Sequence, residues 1–252
     1  MIDDMPQPNL RTFQLPGKRK PLGVVGGMGS LATAKFLEVL AQKSEVEKDQ
    51  DHIPYITLSL PNISDRSRAI TMGSDAPLRQ ILERAHWLEK AGCGAIAIPC
   101  NTAHFWASEI RYALSIELIN MIELTRKFLY CTTEKVHDIR TVVLGTNATM
   151  MQPLYPGTNT HCFGYDFWQQ IIEWRDCTAV IIADVKAGHI TRATETLKQL
   201  VRGVRSLNPD AIVLGCSELS AISGGLAPEE NVVDPIGILA DGCIQWWNDS
   251  KM

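Results

Sequence analysis

Short, wholly apolar runs alternate along this chain with longer stretches in which apolar positions recur every three or four residues. LGVVGGMGSLATAKFLEVLAQ, residues 22–42, reads as a strand over Leu22–Val25, a glycine turn and an amphipathic helix. HIPYITLSLPN predicts the next strand, and PLRQILERAHWLEKAG a helix closed by Gly92. GAIAIP is a third apolar strand that runs into Cys100, after which Asn101 and Thr102 are placed to cap the helix TAHFWASEIRYAL. The second half follows the same plan. ELINM is a short strand, IELTRKFLY a helix, and RTVVLGTNATM repeats the strand-into-turn pattern; VIIADVKAG and TRATETLKQLVRGV read as helices, and AIVLGCSEL as a strand ending in Cys216.

Gly26 and Gly145 lie about as far apart along the chain as Cys100 and Cys216, so the halves are predicted to be related. Such βα alternation builds parallel sheets covered by helices, with ligands beyond the carboxyl ends of the strands. The expected fold is α/β: two pseudo-symmetric three-layer α/β domains with mainly parallel sheets and the active site in the cleft between them. Residues 1–20 are expected to form a flexible tail. Residues 21–117 form the first domain, completed by 229–252 through the helix near PIGILADGCIQWW, and 118–228 form the second.

Composition narrows the function classes. The 252 residues are 45% hydrophobic, enough for one large or two small packed domains, and the net charge of −4 comes with no basic, aromatic-interleaved stripe for nucleic acid. Lys18-Arg19-Lys20 is a short solvated cluster. No secretory or transit pattern opens the chain, and no stretch reaches the roughly 18 apolar residues of a membrane span, so a cytoplasmic location is expected. The seven cysteines are odd in number and lack CxxC or zinc-finger spacing, so no metal is predicted. Cys93, Cys131, Cys162, Cys177 and Cys243 read as small core or incidental residues.

Gly27-Met28-Gly29-Ser30-Leu31-Ala32 fits the G-x-G-x-x-A turn of dinucleotide sites. The ribose-binding acid expected at the end of the second strand is missing, because that strand ends in Leu60-Pro61-Asn62. A nucleotide-binding module is therefore a secondary reading.

A lone buried cysteine is usually a small core residue; a matched pair at symmetric strand ends is not so easily explained. Each would sit at a helix N-terminus, where free amides and the helix dipole lower a thiol pKa and attract anions. Asn101 and Thr102 follow one cysteine, and Ser217 and Glu218 the other, all suited to holding a carboxylate. Two thiols facing one carbon can take a proton from one side and return one to the other. That is two-base racemisation, and thiols with an ordinary pKa near ~8.5 need no extreme tuning for it. It requires no cofactor, only donors that stabilise charge on the α-carboxylate. Each sulfur must approach the same Cα, which puts the two roughly 7 Å apart.

GGMGSLATA, SDR at 64–66, PCNTAH at 99–104, VKAG at 185–188 and GCSEL at 215–219 together resemble the cofactor-independent aspartate/glutamate racemases, the aspartate racemase branch in particular. The resemblance runs from Gly23 to about Ile238. It implies that Cys100 and Cys216 are the acid/base pair, that Arg66 and Lys186 grip the side-chain carboxylate of a dicarboxylic amino acid, and that the chain is a homodimer. Glutamate racemases proper open with a DSG-type turn and carry a histidine after the second cysteine motif, where this chain has GGMG and Glu218. Ser30 and Ser217 replace the usual proline and threonine, and the loop around Asn147 departs from the pattern. Thr146 and Thr149 are candidate α-carboxylate ligands, and Met28 a backbone contact through its turn. His104, one helical turn after Cys100, reads as a packing or hydrogen-bonding residue rather than a catalytic one. Hydantoin racemases and maleate isomerases share the fold and remain rivals, as does the more remote option of a pyridoxal phosphate Schiff base on Lys186.

Overall fold

A computed structural model describes residues 19–132, 139–151, 154–155, 165–226 and 231–250. Most of the expected tail and Cys162 lie outside them. The first parallel sheet has the order β2-β1-β3-β4, from β1 (Leu22–Gly26), β2 (Tyr55–Ser59), β3 (Ala95–Ala97) and β4 (Glu117–Ile119). The helices around it are α1 (Ser30–Lys43), α2 (Arg66–Thr71), α3 (Ala76–Lys90) and α4 (Ala107–Ala113), and α5 (Met121–Thr132) follows β4. The second sheet, also parallel, has the order β5-β6-β7 from β5 (Thr141–Gly145), β6 (Ala211–Gly215) and β7 (Val232–Val233). Its segment contains α6 (Asn147–Met151), α7 (Tyr165–Lys186), α8 (Ile190–Arg205) and α9 (Ser217–Ala221), with α10 (Pro235–Asp249) after β7.

The neighbours β1-β3-β4 and β5-β6-β7 follow one another in the same order, which is the internal repeat seen in the sequence. Central strands of parallel sheets are covered on both faces and so read as unbroken apolar runs. LGVVG, TVVLG and AIVLG are buried at every position, whereas β2, at an open edge, is only partly covered. One face of the first sheet packs Ile96 and Ile98 against Ile81, Ala85 and Leu88 of α3; the other packs Leu22 and Val24 against Phe36 and Leu40 of α1 and Ile236 and Leu239 of α10. In the second sheet Val142, Leu144, Ile212 and Leu214 meet α7 and α8, while Val143 and Val213 meet Ile122 and Leu129 of α5. Each sheet therefore lies between helical layers.

Two strands near the expected boundaries have definite partners. β4 begins at Glu117 but pairs in parallel with β3, and β7, within the segment expected to complete the first domain, pairs with β6. β4 adds beside β3 and β7 beside β6, so the crossing between halves comes one helix later, at α5, which packs on the second sheet, and α10, which packs on the first.

Local chemistry fits these elements. Asp75 precedes α3, Pro77 sits in its first turn, and Gly92 (φ +95°) turns the chain after it. α8 buries Ala193, Leu197, Leu200, Val201 and Val204 on one face and ends with Arg202 and Arg205 against the negative end of its dipole. Asp234 accepts from the Ile236 amide to cap α10. The stretch Thr102–Ala113, expected as one helix, is a 3₁₀ turn over Thr102–Trp106 followed by α4. Among the described residues no helix is long and apolar enough to cross a membrane.

Candidate active site

Cys216 follows β6 directly and Cys100 lies three residues beyond β3, so both stand at strand carboxyl ends, one in each sheet. They line the same narrow cleft, together with Met28, Arg66, Asn101, Thr102, Thr146, Lys186, Ser217 and Glu218. Its free space is about 20 Å³, room for roughly one water molecule. A larger groove of about 770 Å³ runs along the open edge of β4 past Lys127 and Trp246, but among the described residues no cysteine or histidine lines it. Volume alone therefore does not locate the chemistry.

Each cysteine is 4% exposed, buried yet facing the cleft. Amides from the following turns reach the sulfurs: Ala103 N–H for Cys100 and Glu218 N–H for Cys216, both favouring thiolate. The expected lowering of the thiol pKa nevertheless does not result. A helix end contributes about 0.3–1 kcal/mol, less than one pKa unit, whereas full burial shifts a group by several. Burial pushes both thiols up.

The pair is also asymmetric. The Arg66 guanidinium pulls Cys100 back down. Cys216 is driven further up, because its Sγ donates to Glu218 Oε2 at 2.9 Å and the carboxylate charge opposes a thiolate there. In this arrangement Cys216 is held as the thiol, and Cys100 is the sulfur better placed to become the base.

Arg66 is the first residue of α2, whose cap is the Asp65 carboxylate accepting from Arg68 N at 2.7 Å. Its Nη2 reaches Met28 O at 3.4 Å and its Nη1 Ser64 O at 3.3 Å, long contacts, and its buried Nε has no partner. Lys186 ends α7 at the other side of the cleft. Among the described residues neither cation forms an ion pair. Two cations with no carboxylate partner among the described residues, beside two thiols, leave a place for an acidic ligand.

The predicted α-carboxylate ligands divide into lining and supporting groups. Thr102 contacts Thr146 at 3.2 Å and Thr149 at 3.1 Å, a hydroxyl cluster joining the two halves. Thr146 lines the cleft and Thr149 lies behind it. Asn101 and Thr102 do not cap as expected: no side-chain capping bond forms, and Asn101 Oδ1 instead accepts from the Tyr155 hydroxyl. Tyr155 has no signal in the sequence, where a single tyrosine among prolines and glycines forms no pattern. Asp65 and Ser67 also line the cleft, within and beside the SDR motif.

His104 is spent on structure. Its Nδ1 donates to Cys100 O at 2.8 Å and its Nε2 accepts from Met121 N at 3.3 Å, tying the cysteine's peptide to α5 in the neutral form. Burial lowers its pKa from 6.5 to about 4, against the opposing Cys100 carbonyl and Glu123. A folded pKa below the unfolded value gives stability that is complete above pH 6.5 and lost as the pH falls through 6.5 toward 4. By pH 4.5 the expected loss is on the order of 2–3 kcal/mol. Urea midpoints between pH 7.5 and 4.5 should fall further for the wild type than for His104→Gln; parallel curves would remove this role.

The GGMGS turn does not cradle phosphate. Gly27 (φ +87°) would place a Cβ 2.4 Å from Leu60 O, its N–H is taken by Thr33 Oγ1 at 3.0 Å, and a Cβ on Gly29 would lie 3.3 Å from Glu218 Oε1. The glycines permit close approach of the chain just after β2 and of the Glu218 side chain, which leaves the turn no room for a phosphate.

Residues 25–243 match the family model described as Asp/Glu/Hydantoin racemase. The chain is 28% identical over 233 residues to the broad specificity amino-acid racemase RacX of Bacillus subtilis, across 88% of this chain and 96% of that one. It superposes on the Picrophilus torridus aspartate racemase with a TM-score of 0.72 at 27% identity, covering 91% of this chain and 95% of that one. The Klebsiella pneumoniae allantoin racemase shares the fold alone, with a TM-score of 0.55 at 15% identity over 93% of this chain and 89% of that one.

Proposed function

Because the chain belongs to the Asp/Glu/hydantoin racemase family and is an isomerase of the racemase type, we propose that it interconverts L- and D-aspartate, with glutamate as a second substrate, through Cys100 and Cys216 and without a cofactor. The observation that carries this reading is the pair of thiols from two different sheets lining one cleft beside Arg66 and Lys186, neither of which has a carboxylate partner among the described residues.

Cys100, as thiolate beside Arg66, takes the Cα proton from one face. The bond's electrons pass to the α-carboxylate, where Asn101, Thr102 and Ser217 supply donors that bind more strongly as charge develops. Cys216 then gives its proton to the opposite face, leaving Cys216 as thiolate and Cys100 as thiol, ready for the other enantiomer. Arg66 and Lys186 hold the side-chain carboxylate, a contact that a monoacid would leave unmade.

A four-carbon diacid is several times larger than the water-sized space in the cleft, so substrate entry requires groups lining it to move apart. A second, wider-specificity reading is favoured by the exposure of Lys186 and by the breadth of the Bacillus subtilis relative.

Incubation in deuterium oxide with each enantiomer of a panel of amino acids, no cofactor added, followed by chiral chromatography, tests both. Deuterium at Cα of aspartate together with loss of optical purity is the expected result. Exchange confined to monoacids or to hydantoins would overturn the assignment.

A further inference from the structure

The side-chain amide of Asn101 presents a choice that the cleft does not itself make. Asn101 is 1% exposed and lines the cleft, its side chain takes no part in capping the turn it begins, and its Nδ2 is buried without a partner. Rotated by half a turn, the amide would put an acceptor where a donor now stands, and a carboxylate in the cleft would be repelled. The bond that selects the orientation comes from Tyr155, a residue of the second half that is 2% exposed, whose hydroxyl donates to Asn101 Oδ1.

We propose that Tyr155 is a positioning residue for substrate: by occupying Asn101 Oδ1 it aims Asn101 Nδ2 into the cleft as a fixed donor for a carboxylate. The ligand class, a small dicarboxylate, rests on the proposed function above. Burial and the charge of Asp234 push the phenol well above its ordinary pKa, so it remains a donor throughout the neutral range. The arrangement also makes the donor conditional on both halves being in place, since Asn101 follows β3 and Tyr155 follows α6.

The test is a double-mutant cycle in the full chain, read by calorimetric binding of succinate, which cannot racemise, and by kcat/KM for aspartate. Tyr155→Phe is expected to weaken succinate about 10-fold and to lower kcat/KM by about 10- to 50-fold in the wild-type background. In the Asn101→Ala background the same change should matter by less than about twofold, because its effect passes through the missing amide. Asn101→Asp keeps an acceptor for Tyr155 but removes the donor, and should weaken succinate at least as much as Asn101→Ala. Equal fold-losses from Tyr155→Phe in both backgrounds, no loss at all, or full succinate binding by Asn101→Asp would overturn the proposal. A wild type that binds succinate and racemises nothing sinks the racemase assignment while the binding cycle still decides Tyr155; one that does neither sinks both.

Discussion

Replacing Cys216 with alanine is expected to lower racemisation of aspartate by at least the 10²–10⁴-fold typical of a lost acid/base group, and Cys100→Ala by a similar factor. The reason is geometric: a planar carbanion that receives its proton from the face that lost it returns unchanged. Neither variant should be inert, however. Cys216→Ala retains Cys100 with its Arg66 neighbour, and should exchange the Cα proton of one enantiomer with solvent deuterium; Cys100→Ala should exchange the other. Cys100→Ala is the more handicapped of the two, because the remaining sulfur is buried, bonded to Glu218 and held protonated. Proton NMR of L- and D-aspartate in deuterium oxide reads both outcomes. Full turnover by either variant would eliminate a two-base mechanism.

Arg66→Met is expected to cost about 10²–10³-fold in kcat/KM for aspartate, and far less for any monoacid the enzyme accepts. A charge-assisted hydrogen bond is worth about 1.5–3 kcal/mol, and its loss leaves a desolvated carboxylate facing an apolar side chain. A second consequence follows from the sulfur beside it. Arg66 lowers the Cys100 pKa, so its removal raises it, and the rise of kcat/KM with pH should move to higher pH. The shift should be confined to the enantiomer deprotonated by Cys100. Profiles for both enantiomers between pH 6 and 10 test this. A uniform loss across monoacids and diacids, with unmoved profiles, would make Arg66 a structural residue of the SDR turn rather than a substrate clamp.

These effects depend on features that differ in how far the chain alone reveals them. LGVVG, TVVLG and AIVLG are unbroken apolar runs between turn residues, and their assignment to buried parallel strands needs no knowledge of neighbours. The cysteines after β3 and β6 were legible for the same reason: position relative to a strand end is a local property. His104 was legible only as a residue one turn from Cys100, since its second bond runs to Met121 in a different element. The pairing of β4 with β3 was not legible, because β4 is three residues long and nothing within ELI says which sheet it joins.

What the sequence determined by itself is thus the alternation of elements, the internal repeat, and the identity of the groups delivered to the strand ends. Periodicity and turn chemistry act over a few residues, so they are written in the chain where they act. Only the tertiary structure decided the protonation balance and the orientation of the donors: burial outweighing the turn amides at both sulfurs, Glu218 closing on Cys216, the threonine hydroxyls meeting across the halves, and Tyr155 turning Asn101. Those interactions join residues distant in sequence or depend on exclusion of water by the whole fold. Desolvation and hydrogen-bond geometry are properties of an enclosed space, and no stretch of chain encloses one alone.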